Sequence, residues 1–502
     1  MGANLADLVQ NAAIRRPSGV AIVTRERSIN WAELDLLVHA LSGGLTARRL
    51  SRSDRVVLML GNTPEFVASY FGILRAGLVA VPINTGYTAV EVASVLRSSG
   101  ARLLIADHDS VAVAQQAVRD TGTDLIVTGT DGWRHLTVGS TPPPQEPTDP
   151  ESLAVLMYTS GTSGRPRAAM LTHRALIANL RQLGWLGNPP ALTDDDVALL
   201  VLPMFHIYAL NALLGMVAFR GATAVLSDRF DPAETLELIE IFDVTVVAGA
   251  PPMYVAWSDV PAVKQALGGV RVLLSGAAPL PTPVFQQFSS MGLTVWESYG
   301  MTETSPAITS SLVTGVAKPG CVGAPVPGME VRLLDSDGND VDEGDPGEVV
   351  VRGPNLFSGY WPDGDGGPDA DGWWQTGDVA VQDDAGDYYL VDRVKELVIV
   401  SGFNVYPHEI ETVLAEAPGV AEVAVAGVDH PYTGEAVKAW VVPEPDSEVT
   451  PEGVIAFASE RLARFKRPTI VEIVDALPHS VAGKVSKAAL RLLEGSAGSV
   501  SD

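Results

Sequence analysis

The stretch Met157–Thr172 reads Met-Tyr-Thr-Ser-Gly-Thr-Ser-Gly-Arg-Pro-Arg-Ala-Ala-Met-Leu-Thr. Its hydroxyls, Thr159, Ser160, Thr162 and Ser163, alternate with Gly161 and Gly164. Short donors and unshielded backbone N–H groups are what a polyphosphate needs, and Arg165 and Arg167 add positive charge. The spacing Gly-x4-Gly-Lys-Ser/Thr is absent, so this is not a Walker A loop. The apolar run Leu153–Met157 before it reads as a short buried strand. Leu176, Leu180 and Leu183 beyond Thr172 read as a helix over Thr172–Gly187 whose first turn that threonine caps. The loop is therefore expected to empty from a strand end into a helix N-terminus. A lone Ser/Thr/Gly run is most often an ordinary polar loop, so the reading depends on what accompanies it.

What accompanies it is a set of segments in a fixed order. Glu297–Glu303 reads Glu-Ser-Tyr-Gly-Met-Thr-Glu, Leu202–Leu210 reads Leu-Pro-Met-Phe-His-Ile-Tyr-Ala-Leu, and Ser275–Pro279 reads Ser-Gly-Ala-Ala-Pro. Later come Trp374–Asp378 as Trp-Gln-Thr-Gly-Asp, then Asp392–Pro407, and Pro478–Lys487 with Gly483-Lys484. Together with the phosphate loop these resemble the adenylate-forming superfamily of acyl- and aryl-CoA ligases, peptide-synthetase adenylation domains and firefly luciferase. The resemblance runs from Ser152 to Leu490. Arg167-Ala168 stands where the family usually has Lys-Gly, and Ser298 where it more often has Gly.

The resemblance implies a role for each matching position. Thr159, Ser160, Gly161, Thr162, Ser163, Gly164 and Arg167 would hold the phosphates of ATP. Gly276, Ala277 and Ala278 would lie along the adenine, where small residues let a flat ring approach the backbone. Ser298, Tyr299, Gly300 and Met301 would line the nucleotide, with Tyr299 stacked on adenine and Thr302 on the α-phosphate. Glu303 with Thr159 would hold Mg²⁺, a hard cation that takes a carboxylate and leaves its other positions to water and phosphate. Asp378 and Arg393 would meet the ribose, a carboxylate being able to accept from both hydroxyls. His206 would stand beside the reacting carboxylate, in a segment similar to the aromatic gate of 4-coumarate-CoA ligases. Phe205, Ile207, Tyr208, Gly249, Ala250 and Pro306 would form the acyl pocket. Ser401, Gly402 and Phe403 would lie along the CoA channel, Lys395 at a hinge, and Lys484 would be the mobile catalytic lysine. Ile399 departs from the basic residue of the plant 4-coumarate ligases.

The elements that must position these residues follow from hydrophobic patterning. Residues 1–50 show helical patterns, the second opened by Asn30 with Glu33 three residues on, a capping box. Strands at Arg55–Leu60, Leu78–Ile83, Arg102–Ala106 and Leu125–Val127 alternate with helices, the rhythm of a parallel sheet covered on both faces. Thr63-Pro64 starts one of those helices, and Gly139–Ser152 reads as a surface connector. Strands at Val197–Leu202, Val244–Ala248, Val270–Leu274 and Leu293–Trp296 end in the turns Pro203–Tyr208, Gly249–Pro252, Ser275–Pro279 and Glu297–Ser305. Ligands of open α/β sheets bind beyond the carboxyl ends of strands, so these turns are expected to converge on one crevice. Gly315–Asp392 reads as a small β subdomain with hairpin turns such as Asp337-Gly338. Arg393–Asp502 reads as a small α/β domain with strands at Glu396–Val400, Val420–Val428, Val437–Val442 and Thr469–Val474 and helices at Pro407–Ala415 and Pro451–Phe465. The expected architecture is thus α/β: a large domain over 1–392 built of two α/β sheet subdomains and the β subdomain (about 315–392), then a small mobile α/β domain over 393–502.

Composition sets the outer bounds. At 502 residues the chain exceeds one core, and 46% apolar with 19% charged residues makes it globular. A net charge of −26 argues against a nucleic-acid partner, which needs a basic face. One cysteine, Cys321, excludes an internal disulfide and fits a reduced, cytoplasmic setting. The N-terminus lacks the regions of a signal peptide, Ala6 breaks the myristoylation pattern, and no apolar run approaches the ~20 residues that span a bilayer. A soluble chain is expected, free to touch a membrane surface in passing; whether it forms a homo-oligomer stays open. Arg outnumbers Lys 27 to 7, with five of the seven Lys beyond Asp392. In such a chain a retained Lys hints that a compact, flexible ammonium is wanted.

A carboxylate attacking a triphosphate is anion against anion, so cations must neutralise the phosphates and hold the reacting atoms in line. The expected reaction is ATP plus an apolar acid plus CoA, giving acyl-CoA, AMP and pyrophosphate through an acyl-adenylate. Lys484 would serve the first step and leave for the second by rotation about Lys395. The pocket candidates Ile207, Tyr208, Ala248, Gly249, Ala250, Met301 and Pro306 carry no charge, which disfavours a dicarboxylate. They do not choose between an aliphatic chain and an aryl ring; the high-Arg, low-Lys usage suggests a GC-rich bacterium and leans toward fatty acids. The alternatives are an aryl acid-CoA ligase, an acyl-AMP ligase that loads a carrier protein, and a nucleotide-binding relic acting as a sensor.

Overall fold

A computed structural model describes residues 3–48, 50–138, 148–159, 167–393, 396, 398–400, 403–430, 434–445, 447–462, 464–479, 485, 487 and 489–490. At residues 392, 393, 399, 403, 404, 429, 434 and 465 the description is of the backbone alone. The chain folds as two compact units: Met1–Val331 with Val351–Trp374 and Gly386–Tyr388, and Arg332–Val350 with Gln375–Ala385 and Tyr389–Asp502.

The first unit holds two sheets. In one, the strands run in the order Asp124–Val127, Leu103–Ala106, Arg55–Met59, Val79–Pro82, Leu153–Thr159, Arg167–Thr172. All neighbours are parallel except the last pair, which is antiparallel. The helix Pro64–Arg75 starts as expected, Thr63 accepting from the Phe66 N–H and Pro64 filling the first turn. The Asn30 and Glu33 capping box forms and opens the helix Trp31–Ala47. A core of Val57, Val79, Val81, Leu96, Leu104 and Leu156 lies against this sheet, each 4% exposed or less.

The second sheet runs Cys321–Pro325, Ala307–Ser310, Val295–Gly300, Val272–Ser275, Val246–Gly249, Val197–Leu200, Thr223–Leu226, Val20–Val23, Ser28–Asn30. From Val295–Gly300 to Val20–Val23 the neighbours are parallel. The two helical patterns of residues 1–50 form as Asp7–Arg15 and Trp31–Ala47, and between them the structure adds an unforeseen hairpin, Val20–Val23 and Ser28–Asn30, whose first strand pairs with Thr223–Leu226. Such a short strand earns its place from its partner, so its own sequence carries little signal. Thr223–Leu226 escaped notice for the same reason. Glu297–Gly300, expected as a turn, instead continues the strand Val295–Gly300, so the turn begins at Met301.

In the second unit the Asp337-Gly338 turn forms, Gly338 at φ 83 donating its N–H to the Asp335 carbonyl at 3.1 Å while Leu334 pairs with Asp340. The five-stranded sheet there runs Phe403–Val405, Val398–Val400, Gly434–Pro443, Val420–His430, with Ile470–Ile473 parallel to Gly434–Pro443. The helices Pro407–Leu414 and Pro451–Arg461 pack onto it through Ile410, Leu414, Val454 and Ala458, each 2% exposed or less. The architecture is α/β throughout, with the larger first unit followed by a smaller second one.

Candidate active site

The strands Leu153–Thr159 and Arg167–Thr172 form a hairpin in which Thr159 faces Arg167 and Leu153 faces Thr172. The hydroxyl-rich residues Ser160, Gly161, Thr162, Ser163, Gly164 and Arg165 connect the two strands in sequence and lie outside the described residues. This corrects the expected handover from loop to helix. Thr172 does cap the helix His173–Gly184, its Oγ1 accepting from the Ala175 N–H at 3.1 Å, but that helix starts a full strand away from the loop. The N-terminal dipole of this helix therefore acts at the far end of the hairpin. Arg167–Thr172 looked like loop because a six-residue strand with Ala168, Ala169 and Leu171 buried has no clean alternation.

Arg167 begins the return strand. Its guanidinium lies over the Tyr360 ring, 3.6 Å from the centroid, and donates to the Asp365 carbonyl at 3.4 Å. The Tyr360 hydroxyl donates to Glu303 Oε1 at 2.6 Å. Burial, and then the adjacent Glu303 carboxylate, pushes the Tyr360 phenol well above its ordinary range, so it stays a neutral donor. Tyr360 was not legible in the sequence, since it lies outside every segment that carries the resemblance. Its segment is fixed by main-chain bonds: Met170 N–H to the Gly359 carbonyl at 3.0 Å, Ser358 N–H to Met170 at 2.9 Å and Trp361 N–H to Ala168 at 2.9 Å. The Phe357 N–H donates to the Glu303 carbonyl at 2.9 Å. Two residues far apart in the chain, Arg167 and Glu303, are thereby brought onto one side chain.

The turn that carries Thr302 and Glu303 is held by buried amides. Asn355 donates to the Thr304 and Ala307 carbonyls at 2.6 and 3.0 Å, and its own carbonyl accepts from Gln182 at 3.1 Å. Asn179 donates to Ala307, and Asn211 donates to the Ser305 carbonyl at 2.7 Å and to Leu176 at 3.1 Å. These four side chains are 2% exposed or less. Ser305 takes a left-handed backbone at φ 65, a strained setting for a residue with a Cβ that the amide network over-determines. Gly300 is required for a different reason, because a Cβ there would fall 2.0 Å from the Pro306 carbonyl oxygen. Met301 donates its N–H to that same oxygen at 3.0 Å, and Ser298 gives its hydroxyl to Ser310 on the neighbouring strand at 2.8 Å.

Three strand ends meet beside this turn. Gly249 pairs with Ser275, Ser275 pairs with Glu297, and the Gly276 N–H donates to the Gly249 carbonyl at 3.1 Å. Ala277 follows at φ 70 and Ala278 after it, while Tyr299 is 8% exposed. Glu297 is 3% exposed and accepts N–H groups from Leu280 and Gly320, each at 3.2 Å, so it ties the Ser275–Pro279 turn to the sheet. Burial pushes its carboxyl up to about 7, although those two donors favour the anion. Ala250 precedes the helix Pro251–Ser258.

On the acyl side, Tyr208 packs on Gly276 so closely that a Cβ there would be 3.2 Å from the ring. Its hydroxyl and that of Tyr254 both donate to the Leu274 carbonyl, at 3.5 and 2.9 Å. Burial pushes both phenols above their ordinary range. Ile207 is 6% exposed, and the exposed His206 lies 4.8 Å, ring to ring, from Phe205. The chain from Tyr208 to Gly215 is a π-helix, a widened form frequent at functional sites. Asn62 fixes the approach to it. Asn62 donates to Leu202 and Ser227 at 3.0 Å and accepts from the Met204 N–H at 3.0 Å. Asn62, Asn179, Gln182, Asn211 and Asn355 were all missed, because a buried amide looks like a surface residue until its partners are known.

The remaining expected residues belong to the second unit. Asp378 is 7% exposed, on the strand Trp374–Gln382, with its N–H on Thr376 Oγ1 at 3.1 Å. Arg393 ends the strand Tyr388–Arg393 and Phe403 starts Phe403–Val405, the side chains of both being outside the description. Lys395, Ser401, Gly402 and Lys484 lie outside the described residues. Just past Lys484, Lys487 pairs with Glu396 at 3.1 Å and with Glu411 at 2.9 Å.

Glu303 and Thr159 offer the hard oxygen donors that suit Mg²⁺. Oε1 of Glu303 is oriented by a neutral phenol, so the carboxylate is fixed without being neutralised. Among the described residues no group of three or more His, Cys, Asp or Glu is arranged to hold a metal ion. No helix among the described residues is long and apolar enough to cross a membrane.

Comparison with known proteins shows the family and the fold. The AMP-binding enzyme family model matches residues 9–361, and the model of the AMP-binding enzyme C-terminal domain matches residues 409–484. A feruloyl-CoA synthase from an Amycolatopsis species is 36% identical over 95% of this chain and 96% of its own length. A long-chain-fatty-acid-CoA ligase of Bacillus subtilis is 31% identical over 98% of this chain and 94% of its own. The crystal structure of ATP-bound MatB from Rhodopseudomonas palustris superposes with a TM-score of 0.91 at 33% identity, covering 98% of this chain and 99% of that one. The chain belongs to the AMP-binding enzyme family, within the adenylate-forming superfamily, and is an AMP-forming acid-CoA ligase.

Proposed function

We propose that the acid this ligase activates is an apolar monocarboxylic acid, in the first place a fatty acid, and that Mg²⁺ accompanies ATP. The observation that carries the proposal is the state of the acyl side. Ile207, Tyr208, Gly249, Ala250 and Pro306 carry no charge, and the two phenols there, Tyr208 and Tyr254, both donate to the Leu274 carbonyl. A second carboxylate on the substrate would find neither a cation nor a free hydroxyl among these residues, and burying it unpaired costs several kcal/mol at the least. An aryl acid is the second reading, favoured by the flat surface that the Tyr208 ring and the Gly276 backbone make together. Two of the relatives carry names that fall on these two readings, a feruloyl-CoA synthase and a long-chain-fatty-acid-CoA ligase.

The residue roles belong to the same proposal. Thr159 to Gly164 with Arg167 bind the phosphates, and Gly276 to Ala278 with Ser298, Tyr299, Gly300 and Met301 hold the adenosine. Thr302 takes the α-phosphate, Asp378 and Arg393 take the ribose, and His206 attends the reacting carboxylate. Glu303 and Thr159 would hold Mg²⁺, which when bound would supply positive charge to neutralise the phosphates. Lys484 supplies the ammonium that bridges the substrate carboxylate and the α-phosphate. Lys395 is the pivot for exchange between the two half-reactions, and Ser401, Gly402 and Phe403 guide CoA. The first unit by itself supplies Arg167 at one side of the phosphate loop and a fixed carboxylate at Glu303, held together through Tyr360.

The test is pyrophosphate release over straight-chain acids, hydroxycinnamic acids and dicarboxylic acids, with and without CoA. Turnover on straight-chain acids, with acyl-CoA formed from free CoA, is expected. A preference for hydroxycinnamic acids selects the aryl reading. Efficient turnover of dicarboxylates contradicts the proposal, and acyl transfer to a carrier protein but not to CoA overturns CoA as the acceptor.

A further inference from the structure

Tyr360 is placed where two charged residues of unlike sign need to be close without pairing. Arg167 lies on the face of its ring at 3.6 Å from the centroid, and the hydroxyl at its edge donates to Glu303 Oε1 at 2.6 Å. Arg167 meets Glu303 through this ring, with no ion pair between the two among the described residues. A direct pair would spend both charges on each other, leaving little field for a polyphosphate or a cation. A phenol orients a carboxylate without neutralising it, and an aromatic face fixes a guanidinium while leaving its charge intact. The ring is itself locked: Phe357 meets it edge-on at 5.0 Å and 77°, and the main chain of Ser358, Gly359 and Trp361 is bonded to the return strand of the hairpin.

We infer that Tyr360 is a positioning residue that sets the Glu303 carboxylate for the divalent cation and the Arg167 guanidinium for the polyphosphate at the same time. The inference rests on the reading of Glu303 as a cation ligand. It also explains why an arginine serves where the family usually has lysine. A planar guanidinium stacks on a ring face, which a compact ammonium on a flexible stem does less well.

The variants are Tyr360→Phe, which keeps the ring and removes the donor, and Tyr360→Leu, which removes both. Glu303→Gln is the control. Mn²⁺ binding is read by electron paramagnetic resonance in the presence of a non-hydrolysable ATP analogue, and analogue binding alone is read by calorimetry in EDTA. For Tyr360→Phe, Mn²⁺ is expected to bind about tenfold more weakly, the scale of one hydrogen bond to a charged group. Its metal-free analogue affinity should be unchanged, and the Mg²⁺ needed for half-maximal adenylation should rise in step. Tyr360→Leu should in addition weaken the analogue in EDTA, because Arg167 loses its seat. If Glu303→Gln weakens Mn²⁺ and Tyr360→Phe does not, the inference is overturned and the cation reading stands. If Glu303→Gln leaves Mn²⁺ binding unchanged, the cation reading falls and the inference with it. A Tyr360→Phe enzyme with a lower melting temperature but wild-type Mn²⁺ and nucleotide binding would show a packing role alone and would also overturn it.

Discussion

Glu297 and His173 are buried ionisable groups with opposite consequences for stability. Glu297 is 3% exposed with its carboxyl pushed up to about 7 by burial, against an ordinary value of 4.5. The folded state therefore keeps a proton that the unfolded chain has lost, and its contribution to stability falls as pH rises from 4.5 through 7. His173, 2% exposed, accepts the Leu5 N–H at 3.1 Å on Nδ1, and burial, aided by Arg52, pushes it down to about 4 from 6.5. There the unfolded state binds the extra proton, so stability is lost as pH falls from 6.5 toward 4. Each effect amounts to about 3 kcal/mol over its window at ~1.4 kcal/mol per pKa unit. Unfolding of Glu297→Gln in denaturant is expected to show a stability that gains on wild type between pH 4.5 and 7 and then levels off. A difference that stays constant with pH would contradict the assignment. At this scale Glu303, Tyr299 and Thr159 could be singled out from the sequence, because they sit in segments of recognisable order; the roles given to them belong to the proposal. Tyr360, Asn62 and Asn355 could not, since a tyrosine or an amide acquires meaning only from what the fold sets beside it.

The elements that hold the cation turn form a small network with a clear energetic signature. Truncating Asn355 to alanine leaves the Thr304 carbonyl and the Gln182 side-chain N–H without this partner and the Ala307 carbonyl with Asn179 alone. Each buried polar group so orphaned costs about 1–3 kcal/mol. Asn355→Ala is expected to unfold at lower denaturant and, in the fraction still folded, to raise KM for ATP more than KM for the acid. Equal KM effects would argue that the network merely stabilises. In the second unit, Lys487 is 13% exposed between Glu396 and Glu411. Burial works against the Glu411 charge, yet His408, Lys487 and the Val425 N–H hold its carboxyl below the usual range. Lys487→Met is expected to lower adenylation about tenfold, equivalent to about 1.4 kcal/mol, with nucleotide affinity unchanged and Lys487→Arg to restore much of it. Full adenylation in the Met variant would contradict a role in seating the Lys484 segment. Most strands were legible from their apolar runs, while Arg167–Thr172 and Val20–Val23 were not. The first hides in a loop-like composition and the second depends on a partner some 200 residues away.

For the whole molecule, a chain of net charge −26 handles two polyanions, ATP and CoA, so its 34 Lys and Arg, outnumbered by 60 Asp and Glu, must act locally. Arg167 is fixed in the first unit, and the sequence retains lysine at 395, 484 and 487, in the range that the second unit covers. The proposal is that the cations are used in turn. Lys395→Pro is expected to spare pyrophosphate release and damage acyl-CoA formation, and equal loss of both would count against a pivot there. Alternation of charge, first to form the adenylate and then to release it to CoA, was implied by the resemblance to the adenylate-forming superfamily together with the charges of the reacting groups. No local pattern in the sequence specifies the arrangement that such a reaction requires. The most direct test of the central claim is to separate the half-reactions in Lys484→Ala, measuring acid-dependent ATP–pyrophosphate exchange and, independently, thioester formation from supplied acyl-adenylate. The account predicts exchange reduced on the order of 10²–10³-fold with ATP binding and thioester formation retained. Near-normal exchange, or an equal loss of both half-reactions, would contradict it.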